Sequence, residues 1–464
     1  MSLHDVDTKK FRGGRVVKKG TKRIIRIGKS VAALIFSVCI LMTYSQVGEV
    51  YAANSDNLLS SLHHNGYKLE QVVVLSRHNI RSPLSGKGST LDKSTPYKWH
   101  EWTSAPSELS LKGGILETSM GQYFRRWLEA EQFIPANYHP TSEEVRIYAN
   151  SKQRTIATAQ YFAAGMLPTA NMDVEYHEEF DKMDPVFNPQ LTFSSDAYKK
   201  DATNQIMALY GNSIAQLEDN YDLMEDVIDY HKSERYKTGE LTDFVTNDSS
   251  TKLEAWQEPG VLGSIRTATQ ISDALVLQYY EETDKKKAGF GKTLSTKQWE
   301  DICEIKDVCV DAGFAAPLVA INVANPLLEE MYSEMNNTNR KFTFLCGHDS
   351  NLTSVLAALN VSEYSLPNAI ETKTPIGSKI VFSKWINGSG EEYWSVDMVY
   401  QSTEQLRNVT MLDLTTPPCI YHLQFNEIKQ NQDGLYLTKD LENLFLRKIN
   451  DYDVLYSIYA KQAA

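Results

Sequence analysis

Short apolar runs that each precede a helical pattern are the feature that most constrains how this chain can fold. Val72–Leu75 is one such run, and Val145–Tyr148 and Lys341–Leu345 are two more. Each run is too short for a helix, and consecutive apolar side chains are typical of strands buried on both faces of a sheet. Strands that alternate with helices predict an α/β fold built on a mostly parallel sheet.

The composition changes between the second and third of these runs. Residues 171–290 are rich in Asp, Glu, Asn and Tyr, and they include amphipathic helical stretches at Ala215–Tyr230 and Ile265–Tyr280. We interpret this segment as an inserted, mainly α-helical domain, so the α/β domain comprises residues 53–170 and 291–464. The other predicted elements are helices at Lys112–Ala130 (after a Gly-Gly turn), Arg154–Met166 and Leu352–Leu359, and strands at Lys379–Phe382 and Tyr393–Tyr400.

Residues 1–52 have the organisation of a secretory signal peptide. They carry ten Lys and Arg but only three acidic residues, and the basic stretch is followed by an apolar run from Val31 to Tyr44 and by small residues near Ala52. This order predicts export to the periplasm or the extracellular space. The basic stretch is unusually long, so an uncleaved membrane anchor stays open as an alternative.

The rest of the chain is acidic. Without residues 1–52 it holds 37 basic and 56 acidic residues, a net charge of −19. Such a surface argues against nucleic acid as a partner, because phosphate backbones are bound by clustered Lys and Arg. The sequence predicts no membrane partner after signal cleavage and gives no indication of the oligomeric state.

The cysteines leave disulfide pairing open. Cys303 and Cys309 are close enough in sequence to close a short loop, whereas Cys346 follows a strand pattern and is expected to be a buried free thiol. No Cys/His cluster has the spacing of a zinc site, so no metal is predicted.

The first apolar run leads directly into the most informative motif. Residues 76–83 read Ser-Arg-His-Asn-Ile-Arg-Ser-Pro, which places Arg77, His78 and Arg81 at the carboxyl end of the predicted strand. Ligands of α/β sheets bind at that edge, and guanidinium groups bind phosphate oxygens through paired charge-assisted hydrogen bonds. An imidazole between two guanidinium groups has a lowered pKa and stays nucleophilic in acid. A basic surface turn is the alternative.

A second motif, Gly-His-Asp-Ser-Asn at residues 347–351, follows the third apolar run. His348 is predicted to donate a hydrogen bond to phosphate, and Asp349 to protonate the leaving oxygen, a role suited to a carboxyl whose pKa is raised by its surroundings. The alternative is that Asp349 only caps the following helix. Arg154, at the corner between the second run and its helix, is a candidate third phosphate ligand or an ordinary surface residue.

Together these motifs resemble the histidine acid phosphatases, branch 2 of the histidine phosphatase superfamily, whose signature is Arg-His-x-x-Arg-x-Pro with a later His-Asp. The resemblance spans Val72 to Asn408 and is strongest to bacterial periplasmic members that act on glucose 1-phosphate. It rests on Ser76–Leu84, Tyr148–Thr155, Met183–Pro189, Gln257–Gly260, Gly347–Leu352, Thr374–Phe382 and Val399–Asn408.

The resemblance implies a phosphoglycerate-mutase-like α/β sandwich domain with the helical insertion, and an active site between the two. It implies His78 as nucleophile, Asp349 as proton donor, and no cofactor. Glu258, an acidic loop residue by its chemistry alone, matches a residue that contacts the sugar. The implied phosphate ligands are Arg77, Arg81, Arg154 and His348.

The expected function is hydrolysis of small sugar phosphomonoesters, with glucose 1-phosphate as the expected substrate, through a phosphohistidine. A phytase or a broad acid phosphatase would use the same residues, but a phytate pocket should carry more Lys and Arg. A sugar-phosphate-binding surface protein without activity is the non-enzymatic alternative, and the presence of both His78 and Asp349 argues against it.

Overall fold

A computed structural model describes residues 62–84, 89 and 91–460. The predicted signal peptide at residues 1–52 lies outside the described residues. Within the described part, no single helix has both the length and the apolar character needed to cross a membrane. Two consecutive helices, Thr296–Phe314 and Pro317–Met335, meet both criteria only as a pair, and they are bent by 81° relative to each other.

Within the described residues, the strands form a mixed seven-stranded sheet and a short hairpin. The strands are β1 (Tyr67–Arg77), β2 (Val145–Ala149), β3 (Ser250–Lys252), β4 (Gly260–Leu262), β5 (Phe342–Gly347), β6 (Lys379–Asn387), β7 (Glu392–Tyr400), β8 (Cys419–His422) and β9 (Tyr436–Leu437). The large sheet has the order β2-β5-β1-β6-β7-β8, and β9 pairs with β7. β1 and β2 both run parallel to β5, whereas β6 runs antiparallel to β1.

Helices cover both faces of the large sheet and form a further layer beside it. In the described part of the chain they are α1 (Leu111–Ala130), α2 (Gln153–Met166), α3 (Asp196–Ala215), α4 (Glu218–Val227), α5 (Glu234–Lys237), α6 (Ser264–Glu281), α7 (Lys285–Ala288), α8 (Thr296–Phe314), α9 (Pro317–Met335), α10 (Asp349–Ala358), α11 (Thr403–Asn408) and α12 (Thr438–Tyr459), and a 3₁₀ turn lies at Tyr230–Lys232.

Strand β1 is buried on both faces, as its apolar run predicts. Val73 and Leu75 pack into a core shared with α9, α10 and α12. Val72 and Val74 point the other way, into a core shared with α1 and α2. All four side chains are fully buried. This three-layer arrangement confirms the predicted α/β fold.

The remaining helices share a third apolar core that includes Tyr198, Met224, Leu275 and Trp299. These residues lie on α3, α4, α6 and α8, so the core extends beyond residue 290 along the chain. The division into domains at residues 170 and 290 stays a prediction. The predicted helix Ala215–Tyr230 corresponds to α4, which is shorter, because it begins at Glu218 and ends at Val227.

The sequence predicts a Gly-Gly turn before helix α1, but the structure places both glycines inside the helix. Ser110 caps the helix by accepting a hydrogen bond from the Gly113 backbone, so Gly113 and Gly114 lie inside the first turn. A Cβ atom on Gly113 would overlap the carbonyl oxygen of Ile80. The glycine therefore serves a close approach of the helix to the loop after β1, the loop that carries the first motif.

Cys303 and Cys309 both lie on α8 as free thiols, so the short disulfide loop does not form. Six residues along a helix rise about 9 Å, beyond the reach of a disulfide. Cys346 is buried and free, as expected.

Candidate active site

Three adjacent parallel strands end at the same edge of the sheet and bring both motifs together. Arg77 of β1 is level with Gly347 of β5, and Cys346 of β5 is level with Ala149 of β2. The backbone N–H of His78 donates to the Gly347 carbonyl at 3.0 Å, which continues the pairing past the end of β1. The residues that follow the three strands therefore share one crevice.

His78 is buried in this crevice and has a defined tautomer. Its Nδ1 lies 2.9 Å from the carbonyl oxygen of Asn79, which can only accept, so Nδ1 carries the proton and Nε2 keeps its lone pair. Burial, followed by the positive charges of Arg154 and Arg81, lowers the pKa of His78 well below its usual value. The ring is thus neutral and nucleophilic even in acid.

The residue that orients His78 is itself fixed by a buried ion pair. The side chain of Asn79 donates to Glu117 at 2.8 Å and accepts from the Ile80 backbone at 2.9 Å. Glu117 pairs with Lys379 at 2.9 Å, and both side chains are fully buried. The sequence analysis did not single out these supporting residues. Glu117, a charged residue on the apolar face of α1, was the available indication.

Three arginines surround His78, and each keeps an unsatisfied donor. The Nε–H groups of Arg77, Arg81 and Arg154 are buried and have no hydrogen-bond partner in the described part of the chain. Burial and the charge of Arg81 lower the pKa of Arg154 to about 10. Three neighbouring cations around one neutral histidine indicate a site built for an anion with several acceptor oxygens.

His348 faces the same space as His78. Asn150 accepts from the Asp184 backbone through its side-chain oxygen at 2.9 Å, so its amide nitrogen donates to Nε2 of His348 at 2.7 Å. Burial and Arg154 lower the pKa of His348 well below its usual value, so the ring is neutral. Nη2 of Arg154 lies 3.3 Å from Nδ1 of the same ring. The ring centroid of His348 lies 5.5 Å from that of His78.

Asp349 contacts Arg77, with 3.2 Å between Oδ2 and Nη2. Burial disfavours the charged carboxylate, but the positive charges of Arg77 and Lys306 outweigh it and hold the pKa of Asp349 well below its usual value. The expectation of a raised pKa is therefore wrong for the ligand-free protein. The cap of α10 is His348, and Asp349 is the first helical residue, whose Oδ1 accepts from the neighbouring Ser350 N–H at 2.9 Å.

Glu258 lies in the loop of the β3–β4 hairpin and is exposed to solvent. Surrounding protein, together with the negative charge of Asp349, raises its pKa. The other six residues singled out from the sequence lie together at the crevice, while the role of Glu258 stays a prediction.

Sequence reasoning missed the carboxylates that hold the arginines. Asp273 on α6 accepts from Nη2 of Arg81 at 3.0 Å, and Glu371 accepts from Nη1 of Arg77 at 2.8 Å. Asp273 is one acid among many on an amphipathic helix, so its pattern carried no signal. Glu371 is nearly adjacent to the conspicuous segment Thr374–Phe382, which was the one available hint.

Among the described residues, the crevice contains no cluster of metal ligands. Within the described residues, Glu225, His231 and Asp243 are the one group of three His, Cys, Asp or Glu side chains whose ligand atoms lie within 4.8 Å of one another. All three lie in the helical layer, and His231 is hydrogen-bonded to Asp243 at 2.8 Å.

Comparison with known proteins agrees with this geometry. The family model described as "Histidine phosphatase superfamily (branch 2)" matches residues 68–401. A glucose-1-phosphatase of Salmonella typhimurium is 37% identical over 356 residues, which cover 76% of this chain and 86% of the relative. A glucose-1-phosphatase of Providencia rettgeri is 34% identical over 387 residues, covering 82% and 92%. Among solved structures, the apo form of Hafnia alvei phytase is 25% identical with a TM-score of 0.75, and the match covers 84% of this chain and 98% of that one.

Proposed function

Because the chain belongs to branch 2 of the histidine phosphatase superfamily and is a phosphoric monoester hydrolase, we propose that it removes phosphate from small sugar phosphomonoesters, with glucose 1-phosphate preferred, through a phosphohistidine at His78. The observation that carries the mechanism is the set of three arginines with unsatisfied Nε–H groups around a neutral, oriented histidine.

In the first step the phosphoryl group binds among Arg77, Arg81, Arg154 and His348. Nε2 of His78 attacks phosphorus, and the bond to the sugar oxygen breaks. Phosphoryl transfer depends on positioning and on neutralising the equatorial oxygens, which the arginines provide. The sugar oxygen is a poor leaving group and needs a proton, which we assign to Asp349.

The ion pair of Asp349 with Arg77 favours the deprotonated carboxylate, so Asp349 gains its proton only when the substrate binds. A bound phosphoryl group competes for Arg77 and adds negative charge beside the carboxylate, and both effects raise the pKa of Asp349. A phosphomonoester that enters as the monoanion brings the proton with it. After transfer, the deprotonated carboxylate activates the water that hydrolyses the phosphohistidine.

Glu258 supports a sugar over a polyphosphate. Its carboxylate can accept hydrogen bonds from sugar hydroxyl groups, whereas it would repel a second phosphate group. The names of the two glucose-1-phosphatase relatives favour the same choice. The structural likeness to a phytase makes phytate the competing substrate.

We also propose that the protein is exported. The basic stretch and the apolar run within residues 1–52 support a signal peptide, and the acidic remainder is compatible with a periplasmic or extracellular enzyme. Amino-terminal sequencing of the exported protein would locate the cleavage point.

The function is tested by comparing kcat/KM for glucose 1-phosphate, phytate and p-nitrophenyl phosphate. We expect glucose 1-phosphate to exceed phytate. Glu258→Gln should lower kcat/KM for glucose 1-phosphate by about tenfold or more, because it removes a hydrogen bond to a charged acceptor, and should change p-nitrophenyl phosphate little.

Glu254→Gln is the matched control, since Glu254 lies in the same hairpin loop but pairs with Lys199 at 2.6 Å. His78→Ala should yield no labelled enzyme intermediate after rapid quenching and almost no turnover. A higher kcat/KM for phytate than for glucose 1-phosphate would contradict the proposed substrate. Equal losses of kcat/KM on glucose 1-phosphate and p-nitrophenyl phosphate in Glu258→Gln would show that Glu258 does not recognise the sugar.

A further inference from the structure

A second layer of charge lies directly behind the phosphate site. Nη1 of Arg77 donates to Oε1 of Glu371 at 2.8 Å and to the carbonyl of Thr374 at 2.6 Å. The same Oε1 atom accepts from Nζ of Lys306, and the other oxygen of Glu371 accepts from the Ile376 backbone at 3.0 Å. The side chains of Arg77, Lys306 and Glu371 are 1%, 5% and 1% exposed, so water does little to screen their charges.

Lys306 reaches this cluster from a different part of the fold. It lies on α8, in the helical layer, whereas Arg77 ends β1 and Glu371 precedes β6. Without Lys306, Arg77 would be the single cation among the members of this cluster, held between two carboxylates, Glu371 and Asp349. Those three groups alone would carry net negative charge, which would offset the positive charge of Arg81 and Arg154 at the point where a phosphate anion must bind. With Lys306, the two cations balance the two carboxylates.

The other titratable groups near Glu371 do not provide this balance. Burial, with the nearby charge of Glu371 adding to it, raises the pKa of Cys303 on α8 and of Tyr280 on α6 well above their usual values, so both stay neutral. Burial raises the pKa of Asp307, also on α8, to about 7. No group among these three adds a positive charge, which leaves Lys306 as the compensating cation in this described cluster.

We infer that Lys306 is a positioning residue of the phosphatase, which neutralises Glu371 so that Arg77 keeps its charge available to the phosphoryl group and to Asp349. The inference rests on the proposed function. It assigns Lys306 no contact with the substrate, because Lys306 acts through Glu371 and Arg77. The competing view is that Lys306 only joins α8 to the segment before β6.

The two views differ in what replaces Lys306 successfully. Lys306→Gln keeps a hydrogen-bond donor toward Glu371 but no charge, Lys306→Met keeps neither, and Lys306→Arg keeps both. Lys297→Met is the matched control, because Lys297 is an exposed residue of the same helix that pairs with Asp301 at 2.8 Å. The readout is the inhibition constant of inorganic phosphate against turnover of p-nitrophenyl phosphate, measured from about pH 4 to 7 beside thermal unfolding.

Charge compensation predicts that Lys306→Gln and Lys306→Met weaken phosphate binding by about tenfold or more, since a buried charge is lost, and shift the pH dependence of kcat/KM. Lys306→Arg should stay within about threefold of wild type, and Lys297→Met should match wild type. Phosphate affinity in folded Lys306→Gln within twofold of wild type would overturn the inference. Failure of both neutral variants to fold would also count against it, since the joining role would then account for Lys306.

This outcome is separable from failure of the proposed function. Phosphate inhibition of p-nitrophenyl phosphate turnover does not depend on which sugar phosphate is preferred. If wild type turned over no phosphomonoester, the proposed function would fail, while calorimetric binding of inorganic phosphate to the same four variants would still decide the role of Lys306.

Discussion

At the scale of single residues, Asp349 connects the resting site to its chemistry. Its carboxylate is charged in the ligand-free protein because Arg77 lies 3.2 Å away, yet the proposed reaction needs it protonated when the sugar oxygen leaves. Asp349 must therefore become protonated when the substrate binds. A proton donor that forms only with phosphate bound is consistent with a carboxyl that both gives a proton and later accepts one from water.

Asp349→Asn tests this role through the leaving group. A sugar alkoxide needs protonation and p-nitrophenolate does not, so we expect kcat/KM for glucose 1-phosphate to fall about 10²–10⁴-fold and that for p-nitrophenyl phosphate to fall far less. Steady-state kinetics on both substrates provide the measurement.

Two other outcomes of this substitution would contradict the assignment of Asp349 as the acid. The change keeps the side-chain volume at position 349 and leaves the Ser350 N–H in place. If Asp349 served only the start of α10, Asn would serve it about as well, and both activities would stay nearly intact. A uniform loss on both substrates would instead assign Asp349 to holding Arg77 or His348.

The proposed phosphate ligands were easier to predict from the sequence than the residues that support them. His78, His348 and the three arginines stand in short motifs at strand ends, where topology brings them together. Asp273, Glu371 and Lys306 are distant in sequence and reach the site only through tertiary packing, which no local pattern encodes.

At the scale of elements, α1 packs closely against α2, the helix whose first turn carries Arg154. A Cβ atom on Gly165 of α2 would overlap the carbonyl oxygen of Thr118, and one on Gly121 of α1 would overlap that of Phe162. Both obstacles are backbone atoms, so the helices cannot accommodate side chains without moving apart. Helix periodicity predicted that α1 and α2 exist, but it carried no information about this contact distance.

Gly165→Ala should therefore destabilise the protein despite the higher helix propensity of Ala. We expect the free energy of unfolding to fall by about 1–3 kcal/mol from overpacking, measured as a lower urea midpoint with an unchanged slope. Gly211→Ala on α3 is the control, because its Cβ would meet only the flexible side chain of Met207, at 3.4 Å. That variant should gain up to about 1 kcal/mol. Equal stabilisation by both substitutions would contradict the close-packing account.

At the scale of the whole molecule, α8 links the helical core to the charged layer behind the active site. One face of α8 contributes Trp299 and Ile302 to the helical core, while Lys306 reaches Glu371. The α/β class was predictable from alternating strands and helices. The extension of the helical core past residue 290 was not predictable from the sequence. The spacing of apolar residues in α8 is equally compatible with packing against the sheet or against the other helices.

The same helix makes global stability depend on pH through Asp307. This side chain is 8% exposed, and burial raises its pKa to about 7. In the unfolded chain its pKa is about 3.9, so the folded state holds an extra proton between these values. Stability from this group is complete below about pH 4 and is lost as the pH rises through about 7, by at most about 4 kcal/mol.

Asp307→Asn should remove that dependence, because Asn resembles the protonated carboxyl in shape and charge. At about pH 4 the variant and wild type should unfold at nearly the same urea concentration, and at about pH 8 the variant should be the more stable. Asp301→Asn, a change at a more exposed position of the same helix, should leave the wild-type pH dependence in place. A stability difference between Asp307→Asn and wild type that is the same at both pH values would show that Asp307 does not titrate between them in the folded protein.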